Sequence, residues 1–140
     1  TDVACDIIED RDPDVLVLNY ANPDMVGHTG DYEAAIEAVE TVDRELGRLG
    51  AAVHDAGGHL LVTADHGNSE DMGTPEHPHT AHTFNPVPFI SLGPEKRNGQ
   101  IRDGGTLADV TPTILALLGI EKPASMTGES LLSDRSQPDS

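Results

Sequence analysis

Tryptophan is absent, and two tyrosines and two phenylalanines are all the aromatic residues among 140. The interior must therefore be built from Val, Leu, Ile and Ala, as in layered helix-on-sheet proteins. Cys5 is the only cysteine, which excludes an internal disulfide and agrees with a reducing, cytoplasmic compartment. No apolar run approaches the length of a membrane span, and the first residues lack the marks of a signal peptide. Positive charge is scarce: 8 Lys and Arg stand against 25 Asp and Glu, a net charge of −17, and Lys96 and Lys122 are the only lysines. Such a surface repels nucleic acid and anionic lipid, which excludes both as partners. It also repels a phosphate ester, so a chain of this charge that handles phosphate needs positive charge from elsewhere, and metal ions are the natural source. An acidic, Lys-poor surface suits a salt-rich cytoplasm, where self-repulsion is screened. No G-x-S-x-G elbow, P-loop or H-E-x-x-H motif is present.

The length is that of one domain. Val3, Ile7 and Ile8 lie at helical spacing between Asp2 and Glu9, and Arg11-Asp12-Pro13-Asp14 breaks the pattern. The chain opens on Thr1 inside this helix-like stretch, which predicts a beginning cut from something longer. The β-branched run Val15 to Asn19 predicts a buried strand, and Ala21 to Gly30 a loop. A long amphipathic helix is predicted from Asp31 to the Gly57-Gly58 stop, with Tyr32, Ala35, Ile36, Val39, Val42, Leu46, Leu49 and Val53 on one face. His59 to Thr63 predicts a second strand, and Ala64 to Thr83 a long polar loop holding four histidines. Loops of that length inside a compact domain are usually functional. Val87 to Leu92 predicts a third strand, Gly93 to Gly105 turns with a short hairpin, and Leu107 to Leu118 a second long helix with Pro112 tolerated in its first turn. The stretch from Ser133 reads as a polar, disordered tail. Strands alternating with helices predict an α/β fold with a mostly parallel sheet flanked by helices.

The candidate ligands cluster. Asp24 and His28 follow the run 15–19, Asp65 and His66 follow the run 59–63, and His82 precedes the run 87–92. In open parallel α/β sheets, ligands bind beyond the carboxyl ends of the strands. Carboxylate with imidazole is ligand chemistry for Mn²⁺, Zn²⁺ or Fe²⁺; it is too rich in nitrogen for Ca²⁺ and lacks the thiolates of a structural zinc site. Each element has a plainer reading. D-x-x-x-H alone is a weak pattern, an Asp after a strand is often a cap, and D-H-G-N alone is compatible with a simple turn. His77 and His79 read as exposed histidines, and His54 and His59 as flanks of a helix end and a strand start. The conjunction of two Asp and three His in three polar clusters, each abutting a predicted strand, carries the weight. Ser69 lies near the cluster with nothing to activate it; Thr29 and Thr83 read as caps, and Thr63 as a strand end.

The strings NYANPDMVGHTGD (19–31), TADHGNSE (63–70), HTAHTFNPVPF (79–89), RDGGTLADVTPTILALLG (102–119) and MTGESL (126–131) closely resemble the 2,3-bisphosphoglycerate-independent phosphoglycerate mutases, a family of the alkaline phosphatase superfamily. The resemblance runs from about Asp2 to Leu132. It implies that 1–132 is the C-terminal part of a metal-binding phosphatase domain, with 133–140 as a tail. It implies interconversion of 3-phosphoglycerate and 2-phosphoglycerate in glycolysis and gluconeogenesis, with two Mn²⁺ or other divalent ions such as Zn²⁺, Co²⁺ or Fe²⁺. By resemblance, Asp24, His28 and His82 bind one metal, and Asp65 and His66 bind the other, which activates a serine nucleophile. His82 is preferred to His79 because the family's ligand is the His followed by Thr and then the Pro-Val-Pro run. The family places its nucleophilic Ser, a further Asp ligand, a Lys near the phosphate and an Arg-rich substrate domain upstream of any segment matched here. A chain limited to these residues is then inactive by itself and needs the N-terminal part of the same enzyme. The rival expectation is a non-catalytic metal-binding module that pairs with a separate N-terminal chain.

Overall fold

A computed structural model describes residues 1–94 and 101–132. The chain divides into two compact units, Thr1–Leu92 and Gly93–Ser140.

The first unit is organised by three helices and a short sheet. Helix α1 spans Asp2–Arg11 and stops at Asp12, whose φ of 43° is left-handed, a conformation that Asp tolerates better than bulkier residues. Helix α3, Tyr32–Asp55, begins where Asp31 accepts a hydrogen bond from the Ala34 N–H at 3.1 Å. It ends where Gly57 takes a φ of 71° and Gly58 N–H donates to the Val53 carbonyl at 2.8 Å. Ala4 and Ile8 of α1 pack on Leu49 of α3, with Cys5, Ala52, Val53 and Leu60 around them. This small aliphatic core fixes the C-terminal half of α3 and the start of the first strand.

Two sequence expectations fail between these helices. Residues 15–19 join no ladder, and Val17 is 85% exposed, so the expected buried strand is absent among the described residues. Residues expected as loop instead form helix α2, Asn22–Gly27, with Pro23 in its first turn, where no N–H is required. Gly, Asn and Pro suggested irregular backbone, but the turn needs so few hydrogen bonds that local propensity does not decide it.

Strand β1, Leu60–Thr63, pairs with β4, Phe89–Leu92, from Leu60↔Leu92 to Thr63↔Phe89. The pairing is antiparallel, whereas the alternation of elements had predicted parallel strands. A parallel return needs a crossover, usually a helix. Here 64–88 contains no helix and returns the chain at the end of β1 that it left, so the two strands run in opposite directions. Pro86 and Pro88 have no N–H to give a ladder, and β4 starts only at Phe89. A hairpin of β2, Gly73–Thr74, and β3, His77–Pro78, interrupts the loop. The α/β class holds, as a mixture of helices and short strands, while the ladders among the described residues are antiparallel.

In the second unit a 3-10 turn, Leu107–Asp109, leads into helix α4, Val110–Leu118, which closes on Gly119 at a φ of 69°. Thr106 and Asp109 form a reciprocal capping box. Thr113 is wholly buried; its hydroxyl donates to the Asp109 carbonyl at 2.7 Å and accepts from Leu131 N–H at 2.8 Å. Asp109 also accepts from Glu129 N–H at 2.7 Å and pairs with Arg102 at 3.2 Å. These contacts hold its carboxyl below the usual range, the Glu129 N–H first. Part of the expected 93–105 hairpin and the tail 133–140 lie outside the described residues. Among the described residues no helix is long and apolar enough to cross a membrane.

Candidate metal centre

Three segments of the first unit meet beside the end of the β1–β4 pair that the loop 64–88 joins. Helix α2 brings Asp24, and His28 caps its C-terminus; a separation of four residues places both on one side of the helix. The turn after β1 brings Asp65 and His66. The segment before β4 brings His82, held by an isolated bridge in which Thr83 N–H donates to the Gly67 carbonyl at 2.8 Å.

Asp24 Oδ1 lies 3.3 Å from His28 Nε2 and 3.2 Å from His82 Nε2, and the two imidazole nitrogens are 3.1 Å apart. The His28 Nδ1 is 2.6 Å from the Thr80 carbonyl. A carbonyl only accepts, so Nδ1 carries the proton and Nε2 presents its lone pair to Asp24 and His82. A carbonyl-anchored imidazole is the usual arrangement behind a metal-ligating histidine. With His28 in this tautomer, its Nε2 and Asp24 Oδ1 both face inward with lone pairs, an arrangement that a cation satisfies. Ligand bonds of about 2.0–2.2 Å set neighbouring donors roughly 3.0–3.5 Å apart around one ion. The spacing and chemistry of Asp24, His28 and His82 fit a divalent ion.

His66 adjoins the triangle. Its ring stacks on that of His82 with centroids 3.6 Å apart, and its Nε2 lies 4.0 Å from Asp24 Oδ1 and 3.6 Å from Asp65 Oδ1. Donor atoms of Asp24, His66 and His82 all fall within 4.8 Å of one another. Two overlapping donor sets thus share Asp24 and His82, whereas the resemblance divides the ligands into Asp24, His28 and His82 against Asp65 and His66. The Asp65 side chain is 86% exposed and stands at the rim, next to His66.

The remaining candidates lie elsewhere. His79 Nδ1 faces the Asp71 carbonyl at 2.9 Å, and His77 is in the β2–β3 hairpin. His54 sits beside Asp55 at the end of α3, and His59 Nε2 is buried with no hydrogen-bond partner among the described residues. Ser69 donates its hydroxyl to the Pro23 carbonyl at 2.8 Å, which ties the turn to α2. Thr29 donates to the Val26 carbonyl and accepts from Asp31 N–H, joining α2 to α3. The Thr63 hydroxyl faces the Ala64 carbonyl at 3.4 Å.

Two polar residues at the centre escaped the sequence reading, Asn68 and Glu70. Asn68 is 6% exposed and donates its amide to Asp24 Oδ1 at 3.0 Å. Glu70 accepts from the Thr83 hydroxyl, from Asn85 Nδ2 at 3.0 Å and from Asn68 N–H at 2.6 Å. The Thr83 hydroxyl, helped by the Asn85 amide and the N–H groups of Glu70 and Asn68, holds the Glu70 carboxyl down at about 2 against an opposing effect of burial. The sequence signal for these two was their place shortly after the Asp-His pair, within the string TADHGNSE.

The family model described as the Metalloenzyme superfamily matches residues 1–122. The chain is 65% identical over 133 residues to a 2,3-bisphosphoglycerate-independent phosphoglycerate mutase of Halobacterium salinarum, covering 94% of this chain and 26% of that protein. It is 56% identical over 136 residues to the enzyme of that name from Pseudomonas putida, covering 96% and 26% respectively. Its backbone matches a crystal structure of Leishmania mexicana phosphoglycerate mutase at low cobalt concentration with a TM-score of 0.85 at 36% identity, over 94% of this chain and 27% of that one. The chain thus spans about a quarter of the length of the curated relatives it matches.

Proposed function

Because the chain belongs to the Metalloenzyme superfamily, we propose that it is the metal-ligating C-terminal part of a cytoplasmic, cofactor-independent phosphoglycerate mutase that interconverts 3-phosphoglycerate and 2-phosphoglycerate. The observation that carries this reading is the triangle of Asp24, His28 and His82, with mutual distances of 3.1–3.3 Å, in a chain so similar to enzymes of that name. Two Mn²⁺ ions, or other divalent ions, are the proposed cofactors. Asp24, His28 and His82 would hold one ion, and Asp65 and His66 would give part of the shell of the other.

When bound, such ions neutralise charge on a phosphoryl group and lower the pKa of a nucleophilic hydroxyl. The chain's own residues orient that centre. Thr80 fixes the His28 ring through its carbonyl, Asn68 fixes the Asp24 carboxylate, and the Gly67–Thr83 bridge brings His82 to the other two. The site lies on a strongly acidic chain, so phosphate binding depends on the ions and on basic residues outside this segment. The nucleophilic serine of the family has no matching position here, and in this reading the isolated chain is inactive. The exposed apolar residues Val15 to Leu18 support completion by further chain of the same enzyme.

The test is conversion of 3-phosphoglycerate to 2-phosphoglycerate by the full-length protein carrying Asp24→Ala, His28→Ala or His82→Ala. Each should abolish turnover, while His54→Ala at the exposed end of α3 should leave it unchanged. Full activity in the three ligand variants would refute the reading.

A further inference from the structure

The side chains of Asn68, Ser69 and Glu70 reach both neighbouring segments that carry a ligand, two of them α2 and one the His82 segment. Asn68 Nδ2 reaches Asp24, Ser69 Oγ reaches the Pro23 carbonyl, and Glu70 Oε1 reaches Thr83 and Asn85 on the His82 segment. Glu70 Oε2 accepts the Asn68 N–H at 2.6 Å, which closes the segment on itself. Asn68 has little freedom: a Cβ placed on Gly27 would lie 2.0 Å from its Oδ1, so it is wedged against α2.

We propose that Asn68 and Glu70 are positioning residues of the metal centre, Asn68 by fixing the Asp24 carboxylate and Glu70 by fixing the segment that carries His82. The proposal rests on the reading of Asp24, His28 and His82 as ligands and adds residues that touch no metal themselves. The Asn68 amide takes one lone-pair direction of Oδ1 and leaves the other toward the imidazoles. Glu70 gathers the Thr83 hydroxyl, the Asn85 amide and the Asn68 N–H on one carboxylate, so a change there releases both segments together. Such outer partners of ligands commonly change metal affinity by about 10- to 100-fold.

The experiment is Mn²⁺ titration of the full-length protein by calorimetry, with electron paramagnetic resonance of the bound ion and circular dichroism to follow the fold. Wild type, His82→Ala, Asn68→Ala, Glu70→Ala, Glu70→Gln and Thr83→Val are compared. The proposal predicts 10- to 100-fold weaker Mn²⁺ binding and a changed resonance spectrum in Asn68→Ala and Glu70→Ala. Glu70→Gln, which keeps one oxygen for Thr83 and Asn85, should restore part of the affinity. Unchanged affinity and spectrum in both alanine variants would overturn the proposal and leave the ligand reading standing. Wild-type binding in His82→Ala would instead overturn the ligand reading, and the proposal with it. If Glu70→Ala does not fold, Thr83→Val and Glu70→Gln decide: weaker binding in both supports the proposal, and wild-type binding in both overturns it.

Discussion

Replacing Gly27 by alanine tests the packing behind the centre with a single methyl group. Gly27 is the last residue of α2, and its added Cβ would meet Asn68 Oδ1 at 2.0 Å, Asn68 Cγ at 2.9 Å and Ser69 Oγ at 3.0 Å. All three distances fall short of the roughly 3.5 Å at which such atoms attract. Asn68 is buried and cannot swing into solvent, so either α2 shifts or the amide leaves Asp24. Overpacking costs about 1–3 kcal/mol, and loss of a hydrogen bond to a carboxylate about 1.5–3 kcal/mol. The helix propensity of alanine returns at most about 1 kcal/mol. As these costs are alternatives, the net expectation is a loss of about 0.5–3 kcal/mol. Gly47, within α3, supplies the control, because a Cβ there meets nothing within 4 Å. Gly47→Ala should therefore stabilise by roughly 0.5–1 kcal/mol. Urea unfolding of the two full-length variants, with Mn²⁺ affinity measured beside it, compares the same chemical change in two settings. If Gly27→Ala proves as stable as Gly47→Ala and binds Mn²⁺ like wild type, the placement of Asn68 between α2 and the turn after β1 is wrong.

The Glu70 carboxyl, held at about 2 rather than 4.5, binds fewer protons folded than unfolded, so its contribution to stability is present above about pH 4.5 and fades as pH falls toward 2. Thr83→Val removes the largest cause and should move the Glu70 midpoint up toward the ordinary range in a carboxyl-resolved NMR titration; an unmoved midpoint would contradict the assignment. A net charge of −17 should make the folded state salt-dependent, with the melting temperature rising as KCl screens the self-repulsion. A melting curve indifferent to salt would show that the acidity has no such consequence.

What the sequence made legible follows from the range of the forces involved. The stripe from Ala35 to Val53, the Asp31 cap and the Gly57-Gly58 stop are local signals, and α3 lies between them. Strands β1 and β4 fall inside the expected apolar runs, shortened where His59 and the prolines do not join the ladder. Strand direction was not legible, because it depends on where the loop 64–88 returns the chain. The run Val15 to Leu18 is as β-branched as a core strand, yet propensity without a neighbour gives no ladder. At the site, Asp24, His28, His66 and His82 were visible because carboxylate and imidazole are distinctive ligand chemistry. Asn68 and Glu70 were not, since their roles come from what they touch across the fold and not from their spacing.

The central claim is that Asp24, His28 and His82 surround one divalent ion. Anomalous diffraction at the manganese edge, from crystals of the full-length protein grown with Mn²⁺, tests it most directly. The account predicts a peak within bonding distance of Asp24 Oδ1 and the Nε2 atoms of His28 and His82. Manganese peaks that leave these three side chains unligated would contradict it.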